Sequence, residues 1–189
     1  MSAWPLHLLR HGAPDQPGLL MGHTDGAPTA SGITACLAQA ARLSVEVIVT
    51  SDLARARQAA DAIGLHRHLP VRVDPRWREL DFGDWDGLAV SAIDAQAFAR
   101  FHADPDRHPP PCGERWSALV NRVAAALADL EPRPTLVLTH GGAMRAALAH
   151  LCGFAQPQLW AIDLPCAARL SLNIWPGPAP VGQMTGLRA

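Results

Sequence analysis

Two histidines and up to three arginines stand in short polar breaks that follow apolar runs. The breaks are Arg10-His11-Gly12, Thr50-Ser51-Asp52 with Arg55 and Arg57 soon after, and Thr139-His140-Gly141-Gly142. Arginines at a helix start oppose its partial positive charge unless an anion shares the site. Helix N-termini and glycine turns offer free backbone N–H groups to phosphate, and guanidinium forks grip the same group. Nearby guanidinium groups push a histidine towards its neutral form, and a neutral imidazole facing a phosphoryl group can attack it to form a phosphohistidine. The second histidine and the arginines would offset charge on the equatorial oxygens in the transition state. The leaving alcohol then needs a proton and the attacking water needs a base, and one carboxylate can serve both steps. Glu79, Asp81, Asp84 and Asp86 all lie in the segment Arg76–Gly87. Spacing alone does not choose between them.

The elements that must carry these groups can be read from periodicity. Leu6, Leu8 and Leu9 form a short apolar run ending at Arg10. Val45–Thr50 and Thr135–Leu138 are continuous and largely β-branched or leucine, as strands buried on both faces are. Val71 and Val73, and the segment Ala168–Trp175, read as further strands. Helical spacing predicts helices beginning at Thr29-Ala30-Ser31 with Ser31 as cap, over Asp52–Ile63, Val90–Phe101 and Trp116–Leu130, and from Gly141 to Leu151. Strands alternating with helices predict an α/β fold, a three-layer sandwich on a mostly parallel sheet, with ligands at the carboxyl ends of the strands.

Composition narrows the functional classes. The chain has 189 residues, formal charge −1 and 49% hydrophobic residues, which suits one domain. The expected layout is a single domain over 1–189, a cap-like insertion at about 87–115 and a Pro/Gly-rich mobile tail from about 176. Near-neutral charge argues against a nucleic-acid partner, and no apolar stretch is long enough for a membrane span. All 16 basic residues are arginine, so Schiff-base and P-loop lysine chemistry are excluded. Cys36, Cys112, Cys152 and Cys166 show no CxxC pairing, and no signal peptide is evident, so reduced thiols in the cytoplasm are expected. His23, His66, His68, His102, His108 and His150 lack metal-ligand spacing.

Four stretches in order, Leu8–Gly12 (LLRHG), Thr50–Ala60 (TSDLARARQAA), Arg78–Gly87 (RELDFGDWDG) and Thr139–Arg145 (THGGAMR), resemble the histidine phosphatase superfamily, with its phosphoglycerate mutase-like fold. The resemblance implies a metal-independent phosphomonoesterase without cofactor. It places the phosphorylated histidine at His11, phosphate ligands at Arg10, Arg55 and His140, and the acid/base carboxylate at Glu79. Arg57 matches no phosphate ligand and is read as a surface or structural residue. Gly22, Asp25, Thr29 and Gly32, together with Phe101–Pro105 and the run to Pro111-Cys112-Gly113-Glu114, look most like alpha-ribazole phosphatases, which act in assembling the cobalamin nucleotide loop. A broad sugar-phosphate phosphatase or mutase-type enzyme, and a non-catalytic phospho-ligand module, are the alternatives.

Some departures bear on substrate choice. Pro14 replaces a usual threonine, Cys112 stands in a P-C-G-E where the family has P-G-G-E, and Ala59 occupies a common threonine position. Asp81, Asp84 and Asp86 are expected to cap loops or face solvent, Trp77 and Trp85 to line the pocket or to pack under the loop, and Arg145 to make structural ion pairs. The partner is expected to be a small phosphomonoester, bound by a monomer or homodimer.

Overall fold

The computed structural model describes residues 2–177 and 179–189. Its centre is a six-stranded sheet made of β1 (Trp4–Arg10), β2 (Val47–Thr50), β3 (Val71–Val73), β4 (Thr135–Thr139), β5 (Arg169–Trp175) and β6 (Val181–Arg188). The order across it is β3-β2-β4-β1-β5-β6. β3, β2, β4 and β1 run parallel, while β5 and β6 are antiparallel additions at one side. The sheet is therefore mixed, with the parallel part at its functional end.

Helices cover both faces and explain the unbroken apolar runs of β2 and β4, in which every residue is buried. On one face α1 (Ala30–Ala40) and α2 (Ala54–Arg67) bring Cys36, Ala40, Ala59, Ala60 and Ile63 against Leu9, Ile48, Leu136 and Leu138. On the other, α4 (Trp116–Ala128) and α5 (Gly141–Cys152) bring Leu119, Val123, Met144 and Leu148 against Leu6, Leu8, Val49 and Val137. Full burial of each such aliphatic side chain contributes about 1.5–3 kcal/mol. Two shorter helices are α3 (Ala95–Ala103) and α6 (Gln156–Trp160).

Register aligns the chemistry. Arg10 pairs with Thr139 and Thr50 with Leu138, so β1, β2 and β4 end side by side. His11, Ser51 and His140 are the next residues of each. Gly12 is required there because a Cβ would collide with the backbone of Gly32 in the first turn of α1.

Several expectations need correcting. Thr29, not Ser31, caps α1: its backbone is extended and its hydroxyl accepts from Gly32 N at 3.0 Å. The helix read over Val90–Phe101 is a 3₁₀ turn at Val90–Ala92 followed by α3, which starts where Asp94 accepts from Ala97 N at 2.8 Å. The Pro/Gly-rich segment from about 176, in which no strand was read, contains β6, whose Gly182 lets the strand lie against Leu151, Leu172 and Ile174 where a larger residue would clash. Pro178, inside that expected tail, lies outside the described residues, as does Met1.

Candidate active site

At the carboxyl edge lies a cavity of about 440 Å³ whose wall includes Arg10, His11, Glu79, Gly141, Gly142 and Arg145. His11, the residue the sequence suggested as nucleophile, stands in this wall. Nδ1–H donates to the carbonyl of Gly12 at 2.8 Å, since that oxygen can only accept, and this leaves Nε2 unprotonated. The ring is 6% exposed. Burial, more than the charges of Arg10 and Arg55, lowers its pKa to about 3. The arginines act in the expected direction but are the smaller cause.

His140 stands behind His11, with ring centroids 5.2 Å apart. It is fully buried and its pKa is driven well below the ordinary value by burial and then by Arg55. Neither of its ring nitrogens has a hydrogen-bond partner among the described residues, and the same holds for Nε of Arg10 and of Arg55. An unmet buried donor costs about 1–3 kcal/mol. A group of them around one imidazole fits an oxyanion that would accept from them. Arg55 itself is held rigidly: its guanidinium donates to the carbonyls of Met21, Gly22 and Thr24 at 3.0, 2.6 and 2.8 Å. Arg55 and His140 thus lie beneath the cavity wall, while Arg10, His11 and Glu79 form part of it.

Glu79 makes no ion pair to Arg76 or Arg78. Arg76 binds Asp74 and Asp129, and Arg78 binds Asp52. The Glu79 carboxylate instead accepts from its own neighbour Leu80 N at 2.9 Å and from Gly142 N at 3.0 Å. It therefore sits at the N-terminus of α5, where the helix dipole stabilises an anion. A Cβ on Gly142 would collide with its Oε1, so a larger residue at this position would displace the carboxylate.

The other carboxylates of the segment work on loops. Asp86 accepts from the backbone N–H groups of Gly22, His23 and Thr24, and Asp81 from that of Gly83. Trp77 and Trp85 are buried in the core, and Arg57 pairs on the surface with Asp61. Arg145 departs from expectation. It makes no ion pair among the described residues; its guanidinium is held by the carbonyls of Leu159 and Ile162, lies 5.3 Å from the Trp160 ring and faces the cavity. Its place four residues after Gly141, on the same helix face, was the available signal.

Comparison with known proteins agrees with this geometry. The family model "Histidine phosphatase superfamily (branch 1)" matches residues 6–181. The chain belongs to that superfamily. Among the superfamily's characterised members, the adenosylcobalamin/alpha-ribazole phosphatase of Escherichia coli is 29% identical over 89% of this chain and 90% of its own length. The glucosyl-3-phosphoglycerate phosphatase of Mycobacterium tuberculosis is 35% identical over 80% and 76%. The solved structure of mycobacterial glucosyl-3-phosphoglycerate phosphatase superposes with a TM-score of 0.85 at 29% identity, covering 97% of each chain. This histidine phosphatase is thus an enzyme with the phosphoglycerate mutase-like fold, acting on small phosphorylated substrates. No helix among the described residues is long and apolar enough to cross a membrane, and no group of three or more His, Cys, Asp or Glu side chains among them is arranged to hold a metal ion.

The buried histidines also set a pH dependence of folding. His7, on β1, is lowered to about 4 by burial and by Arg169, His11 to about 3, and His140 in the same direction. Each binds a proton less readily folded than unfolded, so between about 6.5 and those values the unfolded chain holds more protons. The stability they contribute is complete above about pH 6.5 and is lost as pH falls towards the folded values. The unfolding free energy from urea titration is expected to fall from about pH 6.5 to pH 5, by up to about 1.4 kcal/mol per pH unit for each fully buried titrating histidine, with the urea midpoint falling alongside it. A flat midpoint over that range would contradict the assigned burial effect.

Proposed function

We propose that this enzyme removes phosphate from α-ribazole 5′-phosphate, the step named by one group of its relatives, through a phosphohistidine on His11. Nε2 of His11 attacks phosphorus as the bond to the leaving oxygen breaks, and Glu79 gives that oxygen its proton. Water then attacks the phosphohistidine, Glu79 takes its proton, and inorganic phosphate leaves with His11 restored. Arg10, Arg55 and His140 hold the phosphoryl oxygens through both steps, and no step uses a metal or cofactor.

The observation that carries the choice of substrate is the aromatic part of the cavity wall. Phe82, Phe98, Phe101, Trp116 and Trp160 line it, two of them on α3 from the segment read as a cap. A flat benzimidazole base on a ribose gains from burial against such a wall. A glucosyl group would leave several hydroxyls unpaired there. One feature favours a second reading, a phosphorylated sugar acid: Arg145 faces the cavity without a carboxylate partner among the described residues and could take a substrate carboxylate.

Steady-state turnover of α-ribazole 5′-phosphate and glucosyl-3-phosphoglycerate, with chelator present, separates the two. We expect kcat/KM to favour α-ribazole 5′-phosphate by at least about tenfold, with the chelator making no difference. Parity or the reverse preference would sink the cobalamin assignment and leave the phosphatase intact.

A further inference from the structure

Arg122 and Glu114 belong to none of the roles above, yet together they hold the backbone from which Glu79 projects. Arg122, on α4, uses every N–H it has. Nε and Nη2 donate to the two oxygens of Glu114 at 2.8 Å each. Nη1 donates to the carbonyls of Arg76 and Arg78 at 2.7 and 2.8 Å, and Nη2 also to the carbonyl of Glu79 at 2.7 Å. Five donors meet five acceptors, the full capacity of a guanidinium. Glu114 completes the device: its backbone N–H donates to Asp81 O at 2.8 Å, and its Oε2 accepts from Asp81 N at 3.3 Å. The residues before it are clamped to the same segment, with Asp84 N donating to Pro111 O at 2.9 Å.

We infer that the Arg122–Glu114 pair is a positioning device for Glu79, tying the returning end of the 87–114 segment to the carboxylate that exchanges protons with the substrate. The inference rests on the acid/base reading of Glu79. The Glu79 head is held by Leu80 N and Gly142 N, while its main chain is held by Arg122 and, at 3.2 Å, by Nε2 of His23. A carboxylate fixed at head and base stays aligned with the leaving oxygen, and a displacement of about 1 Å can cost about a hundredfold in rate. Lysine at 122 keeps the charge but offers three donors from one point, so it cannot span the three carbonyls and Glu114.

The test is the rate of the first turnover, followed by rapid quench, with two probes: β-glycerophosphate, whose alkoxide leaving group needs a proton, and p-nitrophenyl phosphate, whose phenolate does not. Arg122→Lys and Glu114→Gln are each expected to slow β-glycerophosphate by about 10- to 100-fold and p-nitrophenyl phosphate by much less, with KM little changed. In Glu79→Gln, adding Arg122→Lys should bring no further leaving-group-dependent loss. Equal slowing of both probes, or additive losses in the double variant, would mean a merely structural pair and overturn the inference while leaving Glu79 in its role. If Glu79→Gln itself shows no leaving-group preference, the acid assignment fails and takes the positioning device with it. Should Arg122→Lys not fold, Glu114→Gln, which keeps the shape and one acceptor, decides alone.

Discussion

Replacing His11 by alanine is expected to lower kcat by at least about 10⁴-fold and to abolish any covalent phosphoenzyme. None of the charged side chains beside it on the cavity wall can replace it. Glu79 carries negative charge towards an anionic substrate when ionised, and Arg10 and Arg145 have no lone pair to give. The wild-type ring has its proton fixed on Nδ1 by the Gly12 carbonyl and Nε2 free, and with a pKa near 3 it stays neutral throughout the physiological range. The neutrality of this ring therefore rests on burial more than on the neighbouring arginines. In a rapid-quench experiment with ³²P-labelled substrate, wild type should show a label that acid releases and base does not, as a phosphoramidate requires. His11→Ala should show none while still binding inorganic phosphate, because Arg10, Arg55 and His140 are untouched. A labelled variant, or a loss of only a few-fold, would move the nucleophile to water or to another side chain.

How much of this was readable before the fold was known differs from residue to residue, for physical reasons. The ends of β1, β2 and β4 were legible because strands buried on both faces write continuous apolar runs, and what interrupts such a run stands at a sheet edge. Their alignment into one site follows from the pairing of Arg10 with Thr139 and of Thr50 with Leu138, which no local pattern encodes. Thr29 was passed over for Ser31 because both are good caps; only the extended backbone of Thr29 decides between them. β6 was missed because proline and glycine dominate its approach, yet the strand adds seven pairs to β5 and packs close through Gly182. Choosing Glu79 among four carboxylates needed the motif, since its distinguishing feature is a tertiary contact with the start of α5. Arg145 and Arg122 look like ordinary helix-surface arginines in sequence. Their partners are mostly backbone carbonyls from distant segments, and backbone acceptors leave no trace in residue type.

Glu79→Gln should divide the reaction at its two proton transfers. In the first step an alkyl leaving group must be protonated as it departs, so the first turnover of β-glycerophosphate is expected to slow by about 10²- to 10⁴-fold. p-Nitrophenolate departs without help, so phosphorylation of His11 by p-nitrophenyl phosphate should remain fast. The second step needs a base to activate water whatever the leaving group was. The variant should therefore release p-nitrophenolate in a burst and then stall, with phosphoenzyme accumulating well above the wild-type level. Glutamine has its own cost, because both oxygens of Glu79 accept N–H bonds, from Leu80 and Gly142, and an amide would turn its NH₂ towards one of them. That conflict costs about 1–3 kcal/mol of stability, so the melting temperature should fall in parallel and the kinetics belong well below it. A selective loss on the alkyl ester without a burst on the aryl ester would leave Glu79 as acid and assign the base elsewhere. A burst with equal first-turnover rates would do the opposite, and only both signatures together make one carboxylate responsible for both transfers.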